Sequence, residues 1–203
     1  MEEGDSILID YWKHRCQVEL SNLAIKVYNS EKYRDLLRQM PEPEVHFDIV
    51  SRNTAGFARF PNELHLNLHF LLRDKEQFVN TVVGHEFAHL IIFYLVKKGY
   101  LPKSTPGHGR AWKDMMRFLG LDPNTYYHEA QISDEDLNLN GLPSLRKQGN
   151  KFAYTCDCEG MIHTLGAIRH KRAQAKGARR AVYNCRNCKQ PIKFSHVIEA
   201  SDS

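Results

Sequence analysis

Within residues 82–92 every side chain is apolar or absent except His85, Glu86 and His89, and no other segment constrains this chain as much. A helix turns about 100° per residue, so His85 and His89 stand one turn apart on the same face. Two neutral imidazoles so placed can chelate one Zn²⁺, and Glu86 lies close enough to reach a water on it. The pattern His-Glu-x-x-His fixes only three positions in five and arises by chance. Its surroundings therefore carry the argument.

A hydrolytic zinc site needs three protein ligands and an open position. The metzincin continuation, with a histidine six residues after His89, fails because Leu95 stands there. A nearby glutamate ligand fails as well, since no acidic residue follows His89 before Asp114. His108, between Gly107 and Gly109 and at the mouth of a further helix, is the expected third ligand. Glycines on both sides let the backbone turn the imidazole back over the first helix. Zinc on three neutral histidines would activate water, with Glu86 as the general base that later passes the proton to a leaving amine.

The 203 residues, 42% hydrophobic and 26% charged, suit one medium domain with a core of its own plus a small module. No stretch reaches the roughly 20 consecutive apolar residues of a membrane span. The nearest, residues 82–96, is interrupted by the motif itself. The acidic start, Met1-Glu2-Glu3-Gly4-Asp5, lacks the form of a signal peptide, so the expected setting is cytoplasmic, nucleoid-associated in a bacterium.

Residues 6–39 have helical periodicity, with Leu20, Leu23, Ala24 and Val27 on one face, and predict two helices or one long and one short. Strand-like runs follow at 45–50, 56–60 and 63–70. In the last, Leu64, Leu66 and Leu68 alternate with His65, Asn67 and His69, which puts both histidines on a strand's polar face. The motif helix is expected over 75–98, stopped by Gly99 and Pro102, and another over 110–119, closed by Gly120. Residues 133–150 lose periodicity and read as a linker.

Cys16 stands alone in a helical stretch and reads as a small buried hydrophobe. Cys156, Cys158, Cys185 and Cys188 cluster near the end, and the Cys-x-x-Cys of the second pair is a zinc-knuckle spacing. Four thiolates on one structural Zn²⁺ is the main reading, with His163 or His170 replacing one cysteine as the alternative. About 50 residues rich in Lys and Arg cannot build an adequate core without a metal. Residues 1–145 hold 16 Lys and Arg against 20 Asp and Glu, whereas residues 146–196 hold 12 against 2. The basic excess is concentrated in Arg169, His170, Lys171, Arg172, Lys176, Arg179 and Arg180, an electrostatic address for the phosphates of DNA without sequence preference. Phe152, Tyr154, Tyr183 and Phe194 are aromatic candidates for base stacking.

Taken jointly, the residues resemble the SprT-like metalloprotease family. The resemblance rests on His85-Glu86-x-x-His89, on Gly107-His108-Gly109-x-x-Trp112 with Met115 and Met116 beyond, and on the strand-like Thr54-Ala55-Gly56-Phe57-Ala58 and Leu64-His65-Leu66-Asn67. The tail adds Tyr154-x-Cys156-x-Cys158 and Tyr183-x-Cys185-x-x-Cys188 around a basic stretch. The chain resembles the bacterial SprT type, related to the Spartan proteases that digest proteins crosslinked to DNA. The resemblance implies an α+β fold: a minimal zincin-like metalloprotease domain over 1–145, helices with a small three-stranded sheet, then a β-rich zinc ribbon over 151–196. It also implies a catalytic and a structural zinc, and a substrate of protein held on DNA. Trp112 is expected to pack the second helix against the first, Met115 and Met116 to lie under the metal or in the core, and Tyr126, Tyr127 and His128 to be structural or, for one of them, to donate to the oxyanion. Two other readings compete: a nucleic-acid-binding zinc adaptor with little or no protease activity, and a peptidase with no DNA role.

Overall fold

A computed structural model describes residues 3–124, 132, 142 and 149–198. The chain divides into two compact units, Met1–Arg146 and Lys147–Ser203. The expected linker lies outside the described residues apart from Leu142, Gly149 and Asn150. Helices accompany two small three-stranded sheets, one in each unit, so the class is α+β.

In the first unit α1 (Glu3–Tyr28) turns Cys16, Leu20, Leu23, Ala24 and Val27 inward, spaced as one helix face requires. Cys16 is fully buried, and that burial pushes its thiol up to about 12, as befits an inert core side chain. The short α2 (Arg34–Leu37) follows. Strands β1 (Glu44–His46), β2 (Gly56–Arg59) and β3 (Glu63–Leu66) form a sheet in the order β1-β3-β2. Strand β1 runs parallel to β3 and β2 antiparallel to it, leaving β2 at an edge.

The third strand is shorter than its alternation predicts. Asn67 ends it by accepting a hydrogen bond from the His69 N–H at 3.0 Å, while its side-chain amide donates to the carbonyls of Ser51 and Thr54. That is an N-cap, so α3 (Leu68–Phe78) starts at once and His69 sits on a helix. His65 stays on the sheet but is buried, its Nδ1 against Asp48 and its Nε2 against Glu63. Lys75, at φ 46° and ψ −118°, kinks α3. A π-helical turn (Val79–Val83) then leads into α4 (Gly84–Lys97). Lys75 is itself non-helical, so the motif helix begins just beyond it, as the sequence predicts, and runs through the π turn to Lys97, while residues 68–74 form a separate helical stretch.

The whole segment, Leu68–Lys97, has a mean hydropathy of 1.4 over its most apolar window and is long and apolar enough to cross a membrane. Protein buries 78% of the window. Gly84 packs so closely that a Cβ there would lie 2.2 Å from Leu121 Cδ1. Helix α5 (Arg110–Leu119) buries Trp112, Met115, Met116 and Leu119 and closes on Gly120 in the left-handed conformation, φ 88°.

In the second unit β4 (Lys151–Thr155) lies between β5 (Ile162–Gly166) and β6 (Lys193–Ile198), antiparallel to both. Helix α6 (Ala167–Ala173) and a 3-10 turn (Gly177–Arg179) separate β5 from β6. Among the described residues its buried side chains are Ala153, Tyr154, Leu165 and Cys185. So small an apolar core leaves the cysteines to provide cohesion.

Candidate metal centres

Helix α4 places His85 and His89 one turn apart, and the loop before α5 brings His108 to them. The Nε2 atoms stand 3.2 Å apart for His85 and His89, 2.9 Å for His89 and His108, and 3.1 Å for His85 and His108. Three ring nitrogens cannot satisfy one another in a triangle, since each Nε2 bears either a proton or a lone pair and at most two edges can be hydrogen bonds. A cation at the centre resolves the conflict. Zinc–nitrogen bonds of 2.0–2.1 Å in a tetrahedron imply nitrogen separations of about 3.3 Å, close to those found. The donor set therefore fits a divalent metal of zinc's preferences.

The chain turns sharply here, as expected: the Gly109 N–H closes a turn on the Pro106 carbonyl at 3.0 Å, with no positive φ at Gly107 or Gly109. Gly109 matters through close approach: a Cβ there would lie 3.1 Å from the Pro106 carbonyl oxygen. Trp112, fully buried on α5, touches all three imidazoles, with ring centroids 4.7 Å from His85, 5.3 Å from His89 and 4.7 Å from His108. Its indole N–H points to the His85 carbonyl at 3.4 Å. The tryptophan read as helix packing therefore packs on the ligands themselves.

Glu86 is only 7% exposed. Burial pushes its carboxyl up to about 8, partly offset by a hydrogen bond from the Ala58 backbone N–H. Gly56 makes room for it, since a Cβ there would lie 2.9 Å from Glu86 Cγ. A glycine inside a strand signals such an approach; a main-chain donor like Ala58 carries no sequence signal. Tyr126, Tyr127 and His128 lie outside the described residues.

The raised carboxyl has a consequence for the metal-free protein. An unfolded Glu86 ionises near 4.5 and the folded one near 8, so the folded state loses stability as pH rises between those values. The loss by pH 8 is on the order of 4 kcal/mol, or roughly 10 °C in Tm. Glu86→Gln cannot titrate. With metal chelated, its Tm is expected to match wild type near pH 5 and exceed it increasingly toward pH 8.5. Tryptophan fluorescence can follow this, because Trp12 and Trp112, the chain's two tryptophans, both lie in the first unit. A constant gap across that range would show that the carboxyl is not held protonated.

The sulfur atoms of Cys156, Cys158, Cys185 and Cys188 all lie within 4.8 Å of one another. The second pair sits in a knuckle closed by the Cys185 N–H on the Gln190 carbonyl and the Lys189 N–H on the Cys185 carbonyl. Backbone N–H groups of Cys188 and Asn187 push the Cys185 thiol down, favouring its thiolate. His163 does not join the four sulfurs; its Nε2 is 3.3 Å from Cys156 Sγ, as an outer partner. His170 stacks on Phe152 with centroids 3.7 Å apart and pairs through Nδ1 with the Tyr154 hydroxyl. Arg169, Lys171, Arg172, Lys176, Arg179 and Arg180 are exposed and form no ion pairs among the described residues. Of the aromatic candidates, Tyr154 is buried, Phe152 and Tyr183 are half-buried, and Phe194 is exposed.

The model of the SprT-like family matches residues 25–129, half of the chain, and spans the three histidines and Glu86. The chain belongs to the SprT-like family. Its SprT relatives extend beyond that segment. It is 31% identical to "Protein SprT" of Actinobacillus succinogenes over 79% of each chain. Against the protein of that name from Proteus mirabilis it is 30% identical over 88% of this chain and 92% of that one. With the Vibrio parahaemolyticus protein the identity is 28% over 79% and 83%. No solved structure matches significantly.

Proposed function

We propose that this SprT-like chain is a zinc endopeptidase of the zincin type, acting on DNA-bound or DNA-crosslinked proteins. Residues 1–145 would form the protease domain, and residues 151–196 a basic zinc ribbon that tethers it to DNA. The observation that carries the catalytic part is the convergence of three Nε2 atoms beside a buried carboxyl whose proton affinity lies near neutrality. His85, His89 and His108 present Nε2 to a common point, so in their neutral forms the ring proton sits on Nδ1. Bound zinc supplies Lewis acidity there, favouring ionisation of water and polarising a peptide carbonyl. Glu86 takes the proton at a carboxylate oxygen and returns it to the departing amine, a task best served by a pKa near the working pH. Trp112 pins the His85 main chain and walls the rings from solvent, which keeps the ligand geometry fixed.

The DNA part is supported by six exposed Lys and Arg side chains between residues 169 and 180. Contacts of this kind give affinity that falls with salt and does not read sequence. The test is cleavage of a DNA-binding protein with and without single-stranded DNA, alongside DNA affinity measured across salt concentration. DNA is expected to stimulate cleavage, and log affinity to fall with log salt at a slope approaching about −4 for six phosphate contacts. Cleavage indifferent to DNA, with affinity surviving only at very low salt, would leave a peptidase without a tether. Tight DNA binding with no cleavage would leave an adaptor.

A further inference from the structure

We propose that a pocket formed by Phe60, Ile92, Phe93 and Val96 receives a large apolar substrate side chain beside the scissile bond. Lys97 and Lys103 at its margin then turn away basic side chains. The inference rests on the protease reading and adds to it the side-chain class of the substrate.

The pocket measures about 350 Å³ and is separate from the metal centre yet adjoins it. Phe93 lies one helical turn past His89, with ring centroids 5.8 Å apart at 21°. Gly107, next to His108, also lines the pocket, and a Cβ there would lie 3.8 Å from His89 Cε1. A single imidazole therefore stands between the pocket and the point where the three Nε2 atoms meet. A substrate whose reacting carbonyl sits at that point places a neighbouring side chain within reach of the pocket.

Strand β2 gives the substrate its direction. Among the described residues its only strand partner is β3, so apart from the Ala58 N–H that Glu86 takes, its other edge is left for an added strand. That edge faces the site, because the Ala58 N–H donates to Glu86. The strand begins at Gly56, packed on Glu86, and leads directly to Phe60 in the pocket wall. An extended peptide laid along it would pass Glu86 and then the pocket.

The lining sets the chemistry. Phe60 and Phe93 are 40% and 37% exposed, large apolar groups left open to solvent at the site's edge, while Ile92 forms a buried floor. Lys97 Nζ lies 5.8 Å from the Phe60 ring centroid. Neither Lys97 nor Lys103 forms an ion pair among the described residues, so a lysine or arginine entering here would meet unneutralised like charge.

The test uses the zinc-loaded full chain and unstructured peptides that differ at one residue, Phe, Leu, Ala or Lys, beside a common cleavage point. Wild type is expected to favour Phe or Leu over Ala by roughly ten- to a hundredfold in kcat/KM and to disfavour Lys. Val96→Trp, which fills the pocket, should collapse the Phe-to-Ala ratio. The double change Lys97→Glu with Lys103→Glu should admit Lys. The same ratios should appear as dissociation constants of the peptides on the Glu86→Gln protein, where nothing is cut. Cleavage by wild type with no preference, or a ratio untouched by Val96→Trp, overturns the pocket's role alone. A wild type that cuts no peptide overturns the protease reading, and the pocket's role with it.

Discussion

Glu86→Gln is expected to abolish peptide cleavage while leaving zinc content and fold intact. Glutamine keeps the shape of the side chain and can still accept the Ala58 N–H, so the contact with Gly56 is undisturbed. What disappears is the proton acceptor, and removing a positioned general base lowers rates by typically about 10²–10⁴. The three imidazoles that hold metal are untouched. The wild-type carboxyl is buried enough to be held near 8, and its replacement by a neutral amide relieves that strain. A dead variant that is at least as stable as wild type therefore cannot be explained by unfolding. Three measurements on one preparation settle it: kcat/KM on an unstructured peptide, zinc per chain, and Tm. Cleavage within tenfold of wild type would remove Glu86 from the mechanism.

The site was more legible in the sequence than the backbone around it. His85 and His89 follow from helical spacing alone, and His108 follows because a hydrolytic zinc needs a third ligand and the other candidates fail. Its flanking glycines suggest a sharp turn, and the structure has one, with Gly109 closing on the Pro106 carbonyl more tightly than a Cβ would allow. The alternation from Leu64 to His69 looked like one strand because leucines two apart serve a strand face. Leu68, Leu71 and Leu72 serve a helix face equally well. Asn67 decides between them through side-chain hydrogen bonds to residues 51 and 54, which no local pattern reports. The π turn ahead of α4 leaves no mark in composition either. Gly56 did offer a signal, and the pocket residues Phe60 and Phe93 did not, since their proximity arises only when β2 is laid along α4.

Cys185→Ser is expected to reduce zinc from two atoms per chain to one and to unfold the second unit while the first stays folded. Four buried side chains, one of them Cys185 itself, anchor β4, β5 and β6 among the described residues. Hydrophobic burial on that scale cannot offset the ordering of about 50 residues. Structural zinc sites of this kind contribute about 10–16 kcal/mol of apparent binding free energy, all of it available to folding. Cys185 is the most telling position because it is buried, its thiol is pushed down by backbone N–H groups, and it receives the Asn187 N–H at 3.3 Å. Serine presents a poor zinc ligand and leaves that knuckle without its anchor. Tryptophan fluorescence reads the first unit alone, whereas proteolysis around residues 151–198 reads the second. The expected result is an unchanged fluorescence melt with rapid cutting in the second unit. DNA affinity should weaken without vanishing, because the unfolded segment keeps its Lys and Arg charges but no longer holds them on a fixed face. Two zincs retained with a protease-resistant second unit would mean that the four sulfurs do not share a metal. The basic face would then need another source of order.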